Sequence, residues 1–268
     1  TILDALAYVT HYNAVNANMA INETFLDSAQ LRGSVVSHAK LLSYVPRSAY
    51  APVAYIDVLV NNPTNVDDGE GGFLPMTINR GTKFATIVDG QTYSFINPET
   101  KTITRNASGQ YIFSNLKLVQ GTIKTVTFTY DEDAIDRYVI PDLDAATDSL
   151  IVRVKEFQQS SEYELFLPIT NITGVDETSP AYILSEGRDG YFEITFGDGI
   201  IGKSLTNGNV IEIEYISTKK TAANGANSFS LVDTIQGNSN VTITVNQKAT
   251  GGAEREDIET IKYNAPLT

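Results

Sequence analysis

Eight consecutive residues offer the most specific chemistry in this chain: Gly197-Asp198-Gly199-Ile200-Ile201-Gly202-Lys203-Ser204 satisfies the pattern of a phosphate-binding P-loop. Such a loop works because it leads from a strand into a helix. The amides at the helix N-terminus hold the phosphates while the lysine meets their charge. Here Tyr191 to Phe196 supplies the strand, but Ser204 is followed by Leu205, Thr206, the turn signal Asn207-Gly208 and the alternating run Val210 to Ile216. No helix has room to begin. The residues are therefore expected to form a structural hairpin of Gly197, Asp198, Gly199, Gly202, Asn207 and Gly208. In it, Asp198-Gly199 and Asn207-Gly208 would supply positive φ angles.

Other reactive groups are sparse. Asp142, Asp144 and Asp148, or Asp67, Asp68 and Glu70, could offer oxygen ligands to a hard cation. Neither set has EF-hand spacing, and a solvated acidic loop is the plainer reading, with calcium left open. His11 and His38 are the two histidines, and both fall on predicted helices. No H-E-x-x-H or G-x-S-x-G occurs. A carboxylate pair for glycoside cleavage stays open in a chain with 32 acids, but the sequence has no tryptophan for sugar stacking. With no cysteine there is neither disulfide, thiolate metal site nor cysteine nucleophile. No cofactor is expected and no residue is assigned a catalytic role.

The elements that would position these residues follow from periodicity. Leu3, Leu6, Ala7, Ile21 and Phe25 recur at helical spacing, as do Leu31, Val35, Ala39 and Leu42 in a second segment. The second helix has Asp27 or Ser28 as a candidate N-cap and is barred by Pro46 from passing Val45. From Val53 the period becomes two and stays so for about two hundred residues. Ile56, Val58 and Val60 share one strand face, Val126, Phe128 and Tyr130 another. The same holds for Val152 and Val154, for Phe192, Ile194 and Phe196, for Ile211, Ile213 and Tyr215, and for Val241, Ile243 and Val245. Antiparallel pairing is expected because no crossover helices intervene. After Gly251-Gly252 the helical period returns through Glu254, Ile258 and Ile261 up to Pro266.

The predicted fold class is α+β, mainly β: two N-terminal helices, mostly antiparallel β subdomains and the start of a C-terminal helix. The expected division is 1–47 helical, 48–135 a first β subdomain, 136–250 a second, and 251–268 a helix leading onward, with the acidic stretch 131–148 as connector. The net charge of −13 opposes binding to phosphate backbones and anionic lipid. Nucleic acid and membrane are thus not expected as partners, and no small-molecule substrate is expected. The chain lacks a signal-peptide pattern and any apolar run of spanning length, and it reads as part of something longer.

Three stretches carry a resemblance. Ser37 to Ala49 leading into Val53–Val60 resembles the helix-to-β entry of the baseplate wedge protein of contractile-tailed phages, in the baseplate J-like group. Phe196 to Leu205, with Asn207-Gly208-Asn209 and the strand to Tyr215, is similar to that family's most recognisable hairpin. Gly251-Gly252-Ala253-Glu254, Ile258, Ile261 and Ala265-Pro266 look like its glycine pair, helix and Ala-Pro step. Arg255 and Lys262 depart from the serine and arginine common there. The resemblance implies a virion protein of the tail baseplate, made in the bacterial host cytoplasm. Its N-terminal helices, with Leu31, Val35, Ala39 and Leu42, would join a bundle with other wedge proteins, and its β domains would link wedges into a ring around the tail hub. Rearrangement of that ring would trigger sheath contraction, and the full-length chain would form a homodimer. The alternatives from the residues are an NTP-binding protein using Gly197 to Ser204 and a glycan-binding or glycan-degrading tail protein.

Overall fold

A computed structural model describes all residues except 1, 65, 71, 135, 136, 170–173 and 188; Asp136 of the acidic stretch therefore lies outside the described residues. The fold is mainly β, with 38% strand against 18% helix, as the alternation requires. Two helices open the chain, α1 (Ile2–Asn22) and α2 (Arg32–Leu41), and α3 (Ile258–Asn264) stands near its end.

Fifteen strands among the described residues form two large barrel-like sheets and one small ribbon. The first sheet contains β1 (Val53–Val60), β3 (Lys83–Val88), β4 (Gln91–Ile96), β6 (Tyr111–Gln120), β14 (Ser230–Leu231) and β15 (Val241–Thr250), in the order β14-β3-β4-β6-β1-β15. The second contains β7 (Thr122–Thr129), β8 (Tyr138–Val139), β9 (Ala145–Lys155), β10 (Glu164–Pro168), β11 (Ala181–Glu186), β12 (Phe192–Phe196) and β13 (Val210–Ser217), in the order β7-β13-β9-β10-β11-β12-β8. The strands β2 (Met76–Ile78) and β5 (Lys101–Ile103) make the ribbon.

The period-two residues face inward. Ile56, Val58 and Val60 are buried with Phe84, Phe95, Tyr111 and Phe113 in one core. Val152, Phe192, Ile194, Ile211 and Ile213 are buried in the other, where Phe166 and Tyr138 both meet the ring of Phe196 edge-on. At roughly 1.5–3 kcal/mol per fully buried large apolar side chain, each core suffices to organise its own sheet. One expectation needs amending: β10 and β11 pair in parallel over Leu167↔Ala181 and Pro168↔Tyr182.

The chain changes sheets at Gly121, where β6 runs directly into β7, and returns after β13 at Thr218. The second sheet is thus inserted within the first. This differs from the expected division at 135/136: β7 belongs to the second sheet, β14 and β15 to the first, and the acidic stretch runs through β8 into β9. Pairing partners so distant in sequence leave no local trace in the pattern. Buried polar groups lock the two crossings together. The Gln120 side-chain oxygen Oε1 accepts from the Thr218 hydroxyl (2.8 Å) and the Lys219 amide (2.7 Å). Around them pack Ala51, Ile96, Val119 and Ile216, while Glu214 binds Arg80 from the first sheet's side and Arg153 of β9.

Gly121 has φ +135°, and a Cβ there would sit 2.5 Å from the Ser217 carbonyl oxygen. Replacing it with alanine adds backbone strain to a clash with main chain that cannot give way. The Gly121→Ala variant should lose about 2–4 kcal/mol in urea unfolding; an unchanged midpoint would mean that the crossing is not built this tightly. Burial pushes the Tyr182 phenol up to about 12. Because the folded protein favours the protonated form, this contribution is complete below the unfolded value near 10 and is lost as pH rises to about 12. It amounts to roughly 2–3 kcal/mol, and Tyr182→Phe should show a correspondingly smaller alkaline loss in denaturant titrations.

Candidate functional site

Two places merit scrutiny, the P-loop-like segment and the N-terminal helices. Residues Gly197 to Asn209 do not form the expected hairpin. β12 and β13 are not neighbours in the sheet, and three strands, β11, β10 and β9, stand between them. The segment is a folded crossing loop containing no helix, either at Ser204 or before β13.

Its amides are already spent. The Asp198 carboxylate accepts from the Ile200 (2.9 Å) and Ile201 (3.1 Å) amides, and these bonds, Ile201 first, hold its pKa below the usual carboxylate range. Gly199 donates to the Gly202 carbonyl (3.1 Å), Gly202 to Asp176 (3.0 Å) and Lys203 to Ser179 (2.7 Å). The Lys203 ammonium lies 2.7 Å from Glu164. An acid of the loop therefore occupies the position a phosphate would need, and the lysine is turned to a different carboxylate. Gly197 is required for contact: a Cβ would meet the Gly202 carbonyl at 2.4 Å. Gly199 and Gly202 have φ +84° and +81°, and Gly208 has φ +89°. Asp198 and Asn207 are not among the positive-φ residues, so the glycines alone carry the turns.

The acidic sets serve as local caps and ion-pair partners. Asp67 accepts from the Gly69 amide, and Asp68 from those of Glu70 and Gly72. Asp142 pairs with Lys124 (2.6 Å) and Asp144 with Lys220 (3.0 Å). Asp148 is not joined to them, and among the described residues no group of three or more His, Asp or Glu side chains is arranged to hold a metal. His38 is hydrogen-bonded to the Glu23 carbonyl (2.9 Å), and His11 is exposed on α1.

The helices divide into two kinds. α2 packs on α3 through Val35, Val36 and Ala39 against Ile261 and Ala265, all buried. Val35 and Ala39, expected to face a partner, are thus used within the chain, whereas Leu31 and Leu42 remain 52% and 45% exposed. The expected cap at Asp27 or Ser28 is absent. Instead Glu23 reaches forward to accept from the amides of Gln30 (2.8 Å) and Leu31 (3.3 Å). Bonds from the Ser34 hydroxyl and then the Gln30 amide lower its pKa. α2 ends before Pro46 is reached, in a Schellman turn with Ser43 at φ +61°, the Tyr44 amide on Ala39 and the Ser43 amide on Lys40.

Charge ties this helical unit to the second sheet. Arg32 clasps Glu186 of β11 with two bonds of 2.6 and 2.8 Å, and Lys40 meets Glu193 of β12 at 3.3 Å. Glu256, buried, accepts from the Tyr44 hydroxyl (2.7 Å), the Arg47 amide (2.9 Å) and Asn264 (2.9 Å). Removing one partner of such a buried pair typically costs about 3–5 kcal/mol. These acids escaped sequence reasoning, since Glu193 between Phe192 and Ile194 reads as the wet side of a strand.

α1 is different. None of its residues is buried, and Ile2, Leu3, Leu6, Tyr8, Val9, Tyr12, Val15, Met19 and Ile21 all stand exposed along a rod about 30 Å long. Asp4 is its single carboxylate, and it has no lysine or arginine. Among the described residues no helix is long and apolar enough to cross a membrane.

These features define a two-sheet β protein whose polar clusters are structural and whose first helix projects, apolar and uncovered, from the body. Over 97% of its length the chain is similar to the baseplate wedge protein gp6 of Enterobacteria phage T4, with 30% identity across 286 aligned positions. That similarity supports a phage baseplate wedge protein, bears out the resemblance drawn from the three stretches, and supports a structural role in the baseplate. The chain spans about two fifths of the relative's length, 41%. No family model matches it.

Calorimetry with Mg-ATP should give no heat of binding. Tight binding abolished by Lys203→Ala would show that the loop opens to release its amides, contrary to the geometry described.

Proposed function

We propose that this protein is a connector of the phage baseplate wedge, in which α1 completes a helix bundle with other wedge proteins. The single observation that carries this reading is the burial deficit of α1. A solvated helix of 21 residues with nine large apolar side chains exposed and one charged residue is at most marginally stable alone. A bundle core would cover that stripe. Leu31 and Leu42, half exposed at the two ends of α2, would add to the apolar surface offered to such a bundle.

The β body acts as the rigid mount. The charged contacts of Arg32 and Lys40 with Glu186 and Glu193 fix the helical unit to the second sheet, so a force on α1 is delivered to the β body. In this reading the body links neighbouring wedges into the ring around the hub, and a displacement at the bundle passes through the clasp when the sheath is triggered. Assembly takes place in the host cytoplasm, and the finished protein resides in the virion tail. Lys203 and Ser204 take no part beyond shaping the crossing loop.

Deleting residues 2–22 should leave the cooperative unfolding of the β body within about 1 kcal/mol of the intact chain, because no core residue is removed. The same deletion should abolish co-purification with the other wedge proteins when they are expressed together. Retained co-purification would place the partner surface elsewhere and overturn the bundle reading.

A further inference from the structure

The direction in which α1 leaves the body is set at its root. None of its residues is buried, so packing does not aim it. For a rod of about 30 Å, a swing of about 20° at the base would carry the tip through about 10 Å. The segment joining α1 to α2 is anchored at its far end by Leu26 and the fully buried Ala29, which pack with Val35 and Ala39 of α2 and Ile261 of α3. Between that anchor and Asn22 stands Glu23, and each of its polar groups is engaged. Its amide donates to the Met19 carbonyl (3.1 Å) and continues the helix. Its carboxylate accepts from the Gln30 and Leu31 amides and from the Ser34 hydroxyl in the first turn of α2. Its carbonyl oxygen accepts from Nε2 of His38, one turn further along α2, at 2.9 Å. The adjoining carbonyls of Ile21 and Asn22, which a helix end leaves unpaired, accept from the Thr24 and Ser28 hydroxyls, both at 2.6 Å.

Two attachments fix a direction where one would fix only a position. Ser34 and His38 are four residues apart on α2, about 6 Å along its axis, and Glu23 reaches the first through its side chain and the second through its main chain. We infer that Glu23 is an orienting lock: together with His38 it holds the last turn of α1 at one angle to α2, so that the rod projects from the body as a fixed arm instead of a swinging tether. The lock also gives His38 a role. A carbonyl oxygen can only accept, so Nε2 carries the ring proton and the imidazole acts as a strut between the two helices. A fixed arm meets a partner surface without first losing rotational freedom, which lowers the ordering cost of assembly. The inference bears on the role proposed for α1 without resting on it, because the lock is a property of the free chain.

The chain has no cysteine, so spin labels can be placed at chosen positions. With Asn13→Cys on α1 and Gln158→Cys in the turn between β9 and β10, both exposed, pulsed dipolar spectroscopy of the 268-residue chain should return one narrow distance. Glu23→Ala should widen that distribution about two-fold, with far-UV circular dichroism and the urea midpoint of the β body unchanged. Glu23→Gln keeps an oxygen that the Gln30 and Leu31 amides can share, as they share Oε1 in the native chain, and should keep the narrow distance. A broad distribution with Glu23 in place, a narrow one in Glu23→Ala, or a Glu23→Gln distribution as wide as that of the alanine variant would each overturn the inference. So would loss of helical signal in Glu23→Ala, which would mean that Glu23 supports the formation of α1 and not its direction. The bundle reading stands or falls separately, on co-purification.

Discussion

A helix cannot bury its own apolar stripe, and everything distinctive about this chain follows from how its three helices meet that constraint. α2 and α3 solve it locally, with Val35 and Ala39 packed against Ile261 and Ala265. α1 does not. Its side chains are left in water by a body whose two β cores are complete without it. In the proposed role the cost of that exposure is recovered when a partner surface covers the helix.

In the proposed role the β body turns this into a mechanical connection. Because the second sheet is inserted into the first, two covalent crossings join them, at Gly121 and Thr218, and the Gln120 side chain bonds one crossing to the other. Apolar packing of Ile96, Val119 and Ile216 and the Arg80–Glu214–Arg153 cluster complete the joint. The helical unit is attached differently, by buried charges on β11 and β12. Such contacts favour one geometry strongly, since displacement leaves Glu186 unpaired away from water. In the proposed role the chain transmits force, a reading supported by the similarity to a T4 baseplate wedge protein.

Much of this was legible in the sequence, and the gaps have physical causes. Alternation in Ile56-Val58-Val60 and Ile211-Ile213-Tyr215 foretold buried strand faces, because period two is a local property. The two N-terminal helices were equally plain. Sheet membership was not: β7 and β15 carry the same pattern as any strand, and their partners lie up to about two hundred residues away. The P-loop pattern was correctly denied its helix by Asn207-Gly208 and the strand that follows. Its true form as a crossing loop depends on Asp176, Ser179 and Glu164, which only the fold brings near. The α2 cap from Glu23 was missed because the donor amides lie seven and eight residues further on, outside any capping rule read from spacing.

The central claim is that α1 is unprotected alone and buried in the assembled wedge. Amide hydrogen exchange compared between the isolated chain and the wedge complex tests it most directly. The amides of residues 2–22 should exchange rapidly in the isolated chain and slow by orders of magnitude in the complex, while those of β1, β6 and β13 stay protected in both. Equal protection of α1 in the two states would contradict the account.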